Sequence, residues 1–361
     1  MKALVVNSIG GRFDLEDVDI AAPIGREALI DVKASGLCHT DVLFASHEIA
    51  PFPLVLGHEV SGIVAELGPD VTQLRVGDHV VGSLVQSCGS CARCQSGRSF
   101  QCPHPEATVR RPDDTPRLSR NGVGLFQGMG LGGFAERALI HENQLVAVPS
   151  EMPFAQAALL GCGVVTGAGA VLNTADVRAG DSVVIVGAGG VGLNAISGAL
   201  IAGASRIVAV DIQSQRLEAA KQFGATDVIN SSETDPVEAL HGLLPAGADH
   251  IFDFVGLKAV AENGLAMLAV GGGLYLVGVS RPEVDFPLSV FDAIAGQRRV
   301  EGVNYGSTNF KRDIPLYAER YLQGELNLDD LVSKRIALAE VNEGYAALRN
   351  GSLNRVVVTS F

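Results

Sequence analysis

The chain carries 361 residues, 47% of them hydrophobic and 19% charged, which is enough for a sizeable core and points to two domains. A formal charge of −13, with no run of Lys and Arg, excludes the basic face that nucleic-acid binding needs. The opening MKALVVNS has one Lys and an apolar run that stops at Asn7, too short for a signal-peptide core, so a cytoplasmic protein is expected.

From Lys2 to about Pro149, short segments rich in β-formers (EALIDVKASGL, SGIVAELG, GDHVVGSL, FAERALIHENQLVAV) alternate with Gly and Pro turns. This pattern predicts a barrel-like β domain with little helix. Two glycine-marked stretches carry single cysteines, GLCHTD at 36–41 and GCGVVTG at 161–167, and GHE at 57–59 lies between them. Cys38, His58 and Cys162, drawn from three separated segments, would make an open zinc site whose fourth position is left to water or substrate.

CGSCARC at 88–94, followed by Cys102, is denser. In a reducing compartment clustered thiols are metal ligands more often than disulfides. Seven residues separate Cys94 from Cys102, where a ferredoxin-type cluster has three, which argues against iron–sulfur. Cys88, Cys91, Cys94 and Cys102 instead suit a closed tetrahedral zinc site, with Gly89 and Gly97 letting the chain turn tightly around one ion. A closed site of four thiolates is structural and does no chemistry.

From Asp181 the texture changes to strand, helix, strand. SVVIV, RIVAVD, ATDVIN, ADHIFDFVG, GGLYLVGV and RVEGVN supply six strands, with a helix at about 213–223 among those between them, which suits a doubly wound parallel sheet. Residues 182–205 hold no charged side chain and are long enough to cross a bilayer. Gly187, Gly189, Gly190 and Gly192 interrupt the run, and with RIVAVD at the βαβ distance it reads instead as a buried strand followed by a buried helix, so no membrane partner is expected.

Gly187, Gly189 and Gly192 fit G-x-G-x-x-G, with Gly190 and Val191 completing the turn. The first glycine permits the tight turn, the second lets backbone approach a pyrophosphate, and the third allows close helix packing. Asp211, nineteen residues after Gly192 and followed by Ile212, is placed to accept adenosine ribose hydroxyls and repel a 2′-phosphate, so NAD is favoured over NADP. Past Asn304, helices at about 308–324 and 339–350 precede a final strand, RVVVTSF.

Taken in order, GLCHTD, LGHE, the Cys88–Cys102 lobe, LGCGVVTG, VGAGGVG, VDI and EGYAALRNGSLNRVVV resemble the zinc-dependent medium-chain alcohol dehydrogenases. The resemblance implies a GroES-like β catalytic domain over 1–163 with a structural zinc lobe at 86–104, a Rossmann NAD-binding domain over 164–304, and a segment 305–361 returning to the catalytic domain. It implies two zinc ions per chain, the catalytic one held by Cys38, His58 and Cys162 with Glu59 as an alternate ligand, and Asp41 bonding the ligand His. Hydride would pass from a zinc-bound alkoxide to NAD, with the Thr40 hydroxyl taking the substrate proton. By the same resemblance Thr166, Val277 and Val279 neighbour the nicotinamide, His39 and Arg355 the pyrophosphate, and Arg216 the adenosine ribose. A homodimer or homotetramer is implied as well.

Three departures bear on substrate. Many relatives finish the proton relay with a His five residues after the first zinc ligand; this chain has Leu43 there, and His47 is the nearest substitute. Glutathione-dependent members of the class III-like branch use an Arg four residues past the last lobe cysteine, where this chain has Glu106. Leu84 and Val279 align with apolar pocket positions, and Gly128 with a place often filled by an aromatic ring. The expected substrates are aromatic, allylic or medium-chain primary alcohols and their aldehydes. A thiol-adduct (formaldehyde) dehydrogenase, a zinc-free NAD(P)H reductase and a non-enzymatic zinc-binding protein stay open as alternatives.

Overall fold

A computed structural model describes residues 1–280, 285–349 and 353–361. The chain divides into two compact units, Met1–Cys162 with Asn309–Phe361, and Gly163–Thr308.

The first unit is built on β-sheet. Its larger sheet runs Leu145–Ala147, His79–Gly82, Glu59–Leu67, Glu27–Gly36, Arg355–Ser360 and Val332–Ala337, with Arg137–His141 also paired to Glu27–Gly36. Alternating residues of these strands fill one core, among them Ile30, Val32, Val60, Val64, Val80 and Ile140. A second core, with Leu37, Leu56, Phe134, Ile336, Val356 and Tyr345, lies under the C-terminal helix Val341–Arg349. Three elements here escaped the sequence reading. The helix His39–Ser46 starts inside the glycine-marked GLCHTD stretch, the strand Val332–Ala337 pairs in parallel with Arg355–Ser360, and Cys162 sits within a continuous helical stretch, Phe154–Thr174. Asn350, the last residue of the expected helix 339–350, lies outside the described residues.

The second unit holds a six-stranded sheet in the order Asp227–Asn230, Arg206–Asp211, Ser182–Val186, Ala248–Asp253, Leu268–Leu276, Arg299–Gly302. Every neighbouring pair is parallel. In chain order this is 3-2-1-4-5-6, the doubly wound Rossmann arrangement, with its switch point beside the first strand. Ser182–Val186 is buried at every position because both sheet faces are covered, which accounts for its unbroken apolar run. The uncharged stretch 182–205 is thus a strand and the helix Gly190–Ala202. Among the described residues, the one helix long and apolar enough to span a bilayer is Phe154–Thr174, and 89% of its apolar window is buried in the protein.

Candidate active site and a second cysteine centre

Sheet register assembles the first centre. Strands Glu27–Gly36 and Glu59–Leu67 pair so that Gly36 faces Glu59, and a Cβ on Gly36 would overlap the Glu59 carboxylate. Next along the chain, Leu37 N–H donates to Val356 O at 2.9 Å, and Cys38 then caps the N-terminus of helix His39–Ser46. His58 follows Gly57, whose φ of +95° turns the chain into the strand. Cys162 lies in a wide π-type turn, Leu160–Val164, and Gly161 lets that turn close on strand His79–Gly82, since a Cβ there would press on Gly82 O and Val81 Cγ1. One ligand atom from each of Cys38, His58, Glu59 and Cys162 falls within 4.8 Å of the others, and all four residues are buried.

The donor set fits zinc. His58 Nδ1 bonds Asp41 Oδ1 at 3.0 Å, which leaves Nε2 for the cluster, and among the described residues neither His58 Nε2 nor either Glu59 oxygen has a hydrogen-bond partner. Unpartnered buried polar atoms cost free energy, and here they converge with two thiols, the N, O and S donors that zinc takes. A hydrogen bond from Cys162 and the charge of His58 hold the Cys38 thiol well below its usual range against burial, while Cys162, the donor of that pair, is pushed up. Burial opposes a charged His58, yet Asp41 and Cys38 outweigh it and raise its pKa. A field that favours a proton on the ring also attracts a divalent cation. Burial lifts the Glu59 carboxyl to about 7, although Arg355 Nη2 stands 3.5 Å from it.

The other expected residues of this unit fall as follows. Thr40 Oγ1 lies 3.8 Å from Cys38 Sγ. His47 is exposed at the C-terminus of helix His39–Ser46, its Nδ1 3.2 Å from Leu43 O. Thr40 and His47 are seven positions apart along the helix axis, a rise of about 10 Å, more than a direct hydrogen bond spans. His39 is exposed. Arg355, expected near a pyrophosphate, is 7% exposed, with Nη1 3.4 Å from Leu37 O. Gly128 is no open pocket wall: a Cβ there would meet Leu56 Cδ2 at 2.6 Å and Val55 O at 3.2 Å, so packing requires the glycine.

The lobe carries the second centre. Sγ–Sγ distances are 3.6 Å for Cys91–Cys94 and Cys88–Cys102, 3.8 Å for Cys91–Cys102 and 3.9 Å for Cys88–Cys94. Four sulfurs at a Zn–S length of about 2.3 Å make a tetrahedron with edges of about 3.8 Å. The match is close. Backbone N–H groups of Cys91 and Cys88 donate to Cys88 Sγ and Cys102 Sγ, each at 3.3 Å, which suits thiolates. Donation from the Ser90 and Cys91 backbone brings the Cys88 thiol down to about 6, whereas burial pushes Cys94 to about 12.

In the second unit Gly187 takes φ +95° and donates to Val210 O at 2.8 Å, and a Cβ on Gly192 would overlap Gly187 O. Gly189 has open space where a Cβ would stand and caps helix Gly190–Ala202 without a side-chain bond, leaving the first-turn N–H groups, Val191 included, for an anion. Asp211 is tied into this loop: Oδ2 accepts from Ala188 N at 2.9 Å, Oδ1 from Gln213 N at 3.0 Å, and Arg216 stands 3.7 Å away. Ile212 and Val279 are exposed, and Thr166 and Val277 are half-buried.

Comparison with known proteins agrees with both units. A family described as alcohol dehydrogenase GroES-like domain matches residues 25–150, and one described as zinc-binding dehydrogenase matches 190–319. The chain is 36% identical over 363 residues to an NDMA-dependent alcohol dehydrogenase from Amycolatopsis methanolica, covering 99% of this chain and 98% of that one. It is 35% identical over 365 residues to an S-(hydroxymethyl)glutathione dehydrogenase from Synechocystis sp., covering 99% of each. The solved structure of benzyl alcohol dehydrogenase from Acinetobacter calcoaceticus superposes with a TM-score of 0.94 at 35% identity, covering 100% of this chain and 99% of that one. Matched end to end at these identities, and carrying both cysteine centres, the chain is an enzyme of the zinc-containing alcohol dehydrogenase family.

Proposed function

We propose that the protein is an NAD-dependent dehydrogenase of aromatic, allylic or medium-chain primary alcohols, holding two zinc ions per chain. The observation that carries the reaction class is the convergence of two buried thiols with His58 Nε2 and the Glu59 carboxylate, neither of which has a hydrogen-bond partner among the described residues. Zinc held there supplies Lewis acidity toward an alcohol or carbonyl oxygen, and NAD supplies the hydride acceptor.

The chain's own groups do the rest. Asp41 holds the His58 ring in the tautomer that offers Nε2. Thr40, the second residue of the helix that Cys38 caps, offers a hydroxyl for the alcohol proton. His47 has Nδ1 against Leu43 O and its ring in solvent, so it serves as a terminal proton exchanger reached through water or a cofactor hydroxyl. Asp211, fixed by two backbone N–H groups, keeps a carboxylate beside the glycine loop, which favours NAD over NADP.

Glu106 supports the choice of substrate. It is exposed, with His104 3.2 Å away, and puts a carboxylate where a glutathione-recognising Arg would stand. A chain at −13 does not otherwise invite an anionic thiol adduct. Identity of 35% to an S-(hydroxymethyl)glutathione dehydrogenase keeps that second reading in play.

A steady-state screen with NAD on metal-analysed protein decides between them. Benzyl or cinnamyl alcohol should exceed ethanol in kcat/KM by about 30- to 100-fold, the worth of burying a phenyl group. Preference for S-hydroxymethyl glutathione would replace this substrate assignment with the thiol-adduct one.

A further inference from the structure

Behind the first centre the helix Val341–Arg349 brings up a residue that sequence alone did not single out, Tyr345, 4% exposed. Its hydroxyl lies 3.2 Å from the Cys38 carbonyl and 3.4 Å from Asp41 Oδ2. Asp41 is fully buried, and its other oxygen is committed, accepting from Gly57 N and facing His58 Nδ1, both at 3.0 Å. Among the described residues Tyr345 is the side chain that bonds Oδ2.

A phenol has one proton and here two acceptors, so it donates to both in a three-centre arrangement, each arm longer than a linear O–H···O bond. The ring gives that proton its direction. It stacks on Phe13 at a centroid distance of 5.3 Å and meets Phe134 edge-on at 6.5 Å, so the oxygen is delivered by a packed ring with little freedom to swing.

We propose that the Tyr345 hydroxyl is a positioning group for the metal centre, pinning the Asp41 carboxylate against rotation and the Cys38 carbonyl against displacement, and so aiming His58 Nε2 and the Cys38 sulfur. The proposal rests on the reading that Cys38, His58 and Cys162 hold zinc. Packing alone asks only for the ring, which a phenylalanine supplies. The hydroxyl touches two groups, each one step removed from a metal ligand, and outer partners of this kind tune metal affinity by about 10- to 100-fold.

The test uses three full-length proteins, wild type, Tyr345→Phe and Phe13→Leu, with zinc transfer to a chromogenic chelator as the readout. The lobe in the same molecule is the internal control. Tyr345→Phe should release the first-centre zinc about tenfold faster than wild type and shift the ligand-field bands of the cobalt-substituted protein. Release from the lobe and the Tm should stay at wild-type values. Phe13→Leu disturbs the same ring cluster without touching the hydroxyl; it should lower the Tm and leave zinc release within about twofold. Wild-type release and cobalt spectra in Tyr345→Phe, or equal acceleration in Phe13→Leu, overturn the proposal. Fewer than two zinc ions in the wild-type chain would overturn the metal reading beneath it, and the stoichiometry separates that failure from the first.

Discussion

The two cysteine centres solve one problem, holding soft ligands around a point, in opposite ways. The lobe takes its four sulfurs from residues 88–102, all half-buried, and backbone N–H groups of the same loop complete its surroundings. The other centre gathers Cys38, His58, Glu59 and Cys162 from distant segments, buries all four, and leaves a nitrogen and a carboxylate without hydrogen-bond partners among the described residues. A ligand set made by local turns closes on itself. One made by sheet register can be left incomplete, and an incomplete set is what chemistry needs.

That contrast breaks first at Cys162. Cys162→Ala should lower kcat/KM by about 10³-fold, several kcal/mol of lost oxygen polarisation, and remove one zinc while NADH binding by fluorescence stays within a few-fold. Loss of NADH binding together with activity would mean that the two functions do not separate by unit. Cys94→Ser should instead lower the Tm by on the order of 10 °C while kcat per folded chain stays within about twofold. A selective collapse of kcat in that variant, at unchanged Tm, would show the lobe acting on chemistry.

A smaller effect sharpens how the lobe is anchored. Glu27, buried, accepts from Arg110 Nη2 at 2.5 Å and Arg117 Nε at 2.7 Å, tying the loop after the lobe to strand Glu27–Gly36. Burial pushes its carboxyl up, but the two guanidiniums win and hold it below the ordinary 4.5. Its contribution is therefore complete above pH 4.5, where the unfolded carboxyl is ionised, and is lost as pH falls toward the lower folded value. Glu27→Gln should cost about 2 kcal/mol at pH 7 and flatten the decline of stability below pH 4.5, as read by denaturant titrations across that range. An unchanged acid limb would assign the anchoring elsewhere.

Legibility in the sequence followed the same divide. The lobe could be read from spacing, and the glycine loop with its flanking strands from a motif in context, because both are built by neighbours along the chain. The helix His39–Ser46 was missed because its eight residues have no apolar stripe to announce it. The helical stretch Phe154–Thr174 is hidden by its glycines, which disfavour helix by propensity yet are close-packing positions such as Gly161 against strand His79–Gly82. Arg355 is expected beside the pyrophosphate by resemblance, and it is the pairing of its strand with Glu27–Gly36 that carries it to Glu59.

By itself the amino-acid order determined the local features of this protein: four thiols at loop spacing, a glycine turn after a buried strand, and three more candidate ligands awaiting assembly. The tertiary structure alone decided that Gly36 faces Glu59, that Arg355 stands beside that carboxylate, and that the Tyr345 hydroxyl arrives at Asp41. Local geometry is written in neighbours a few residues apart, whereas these contacts join positions that meet only once strand register and helix packing are settled, and no spacing in the chain encodes them.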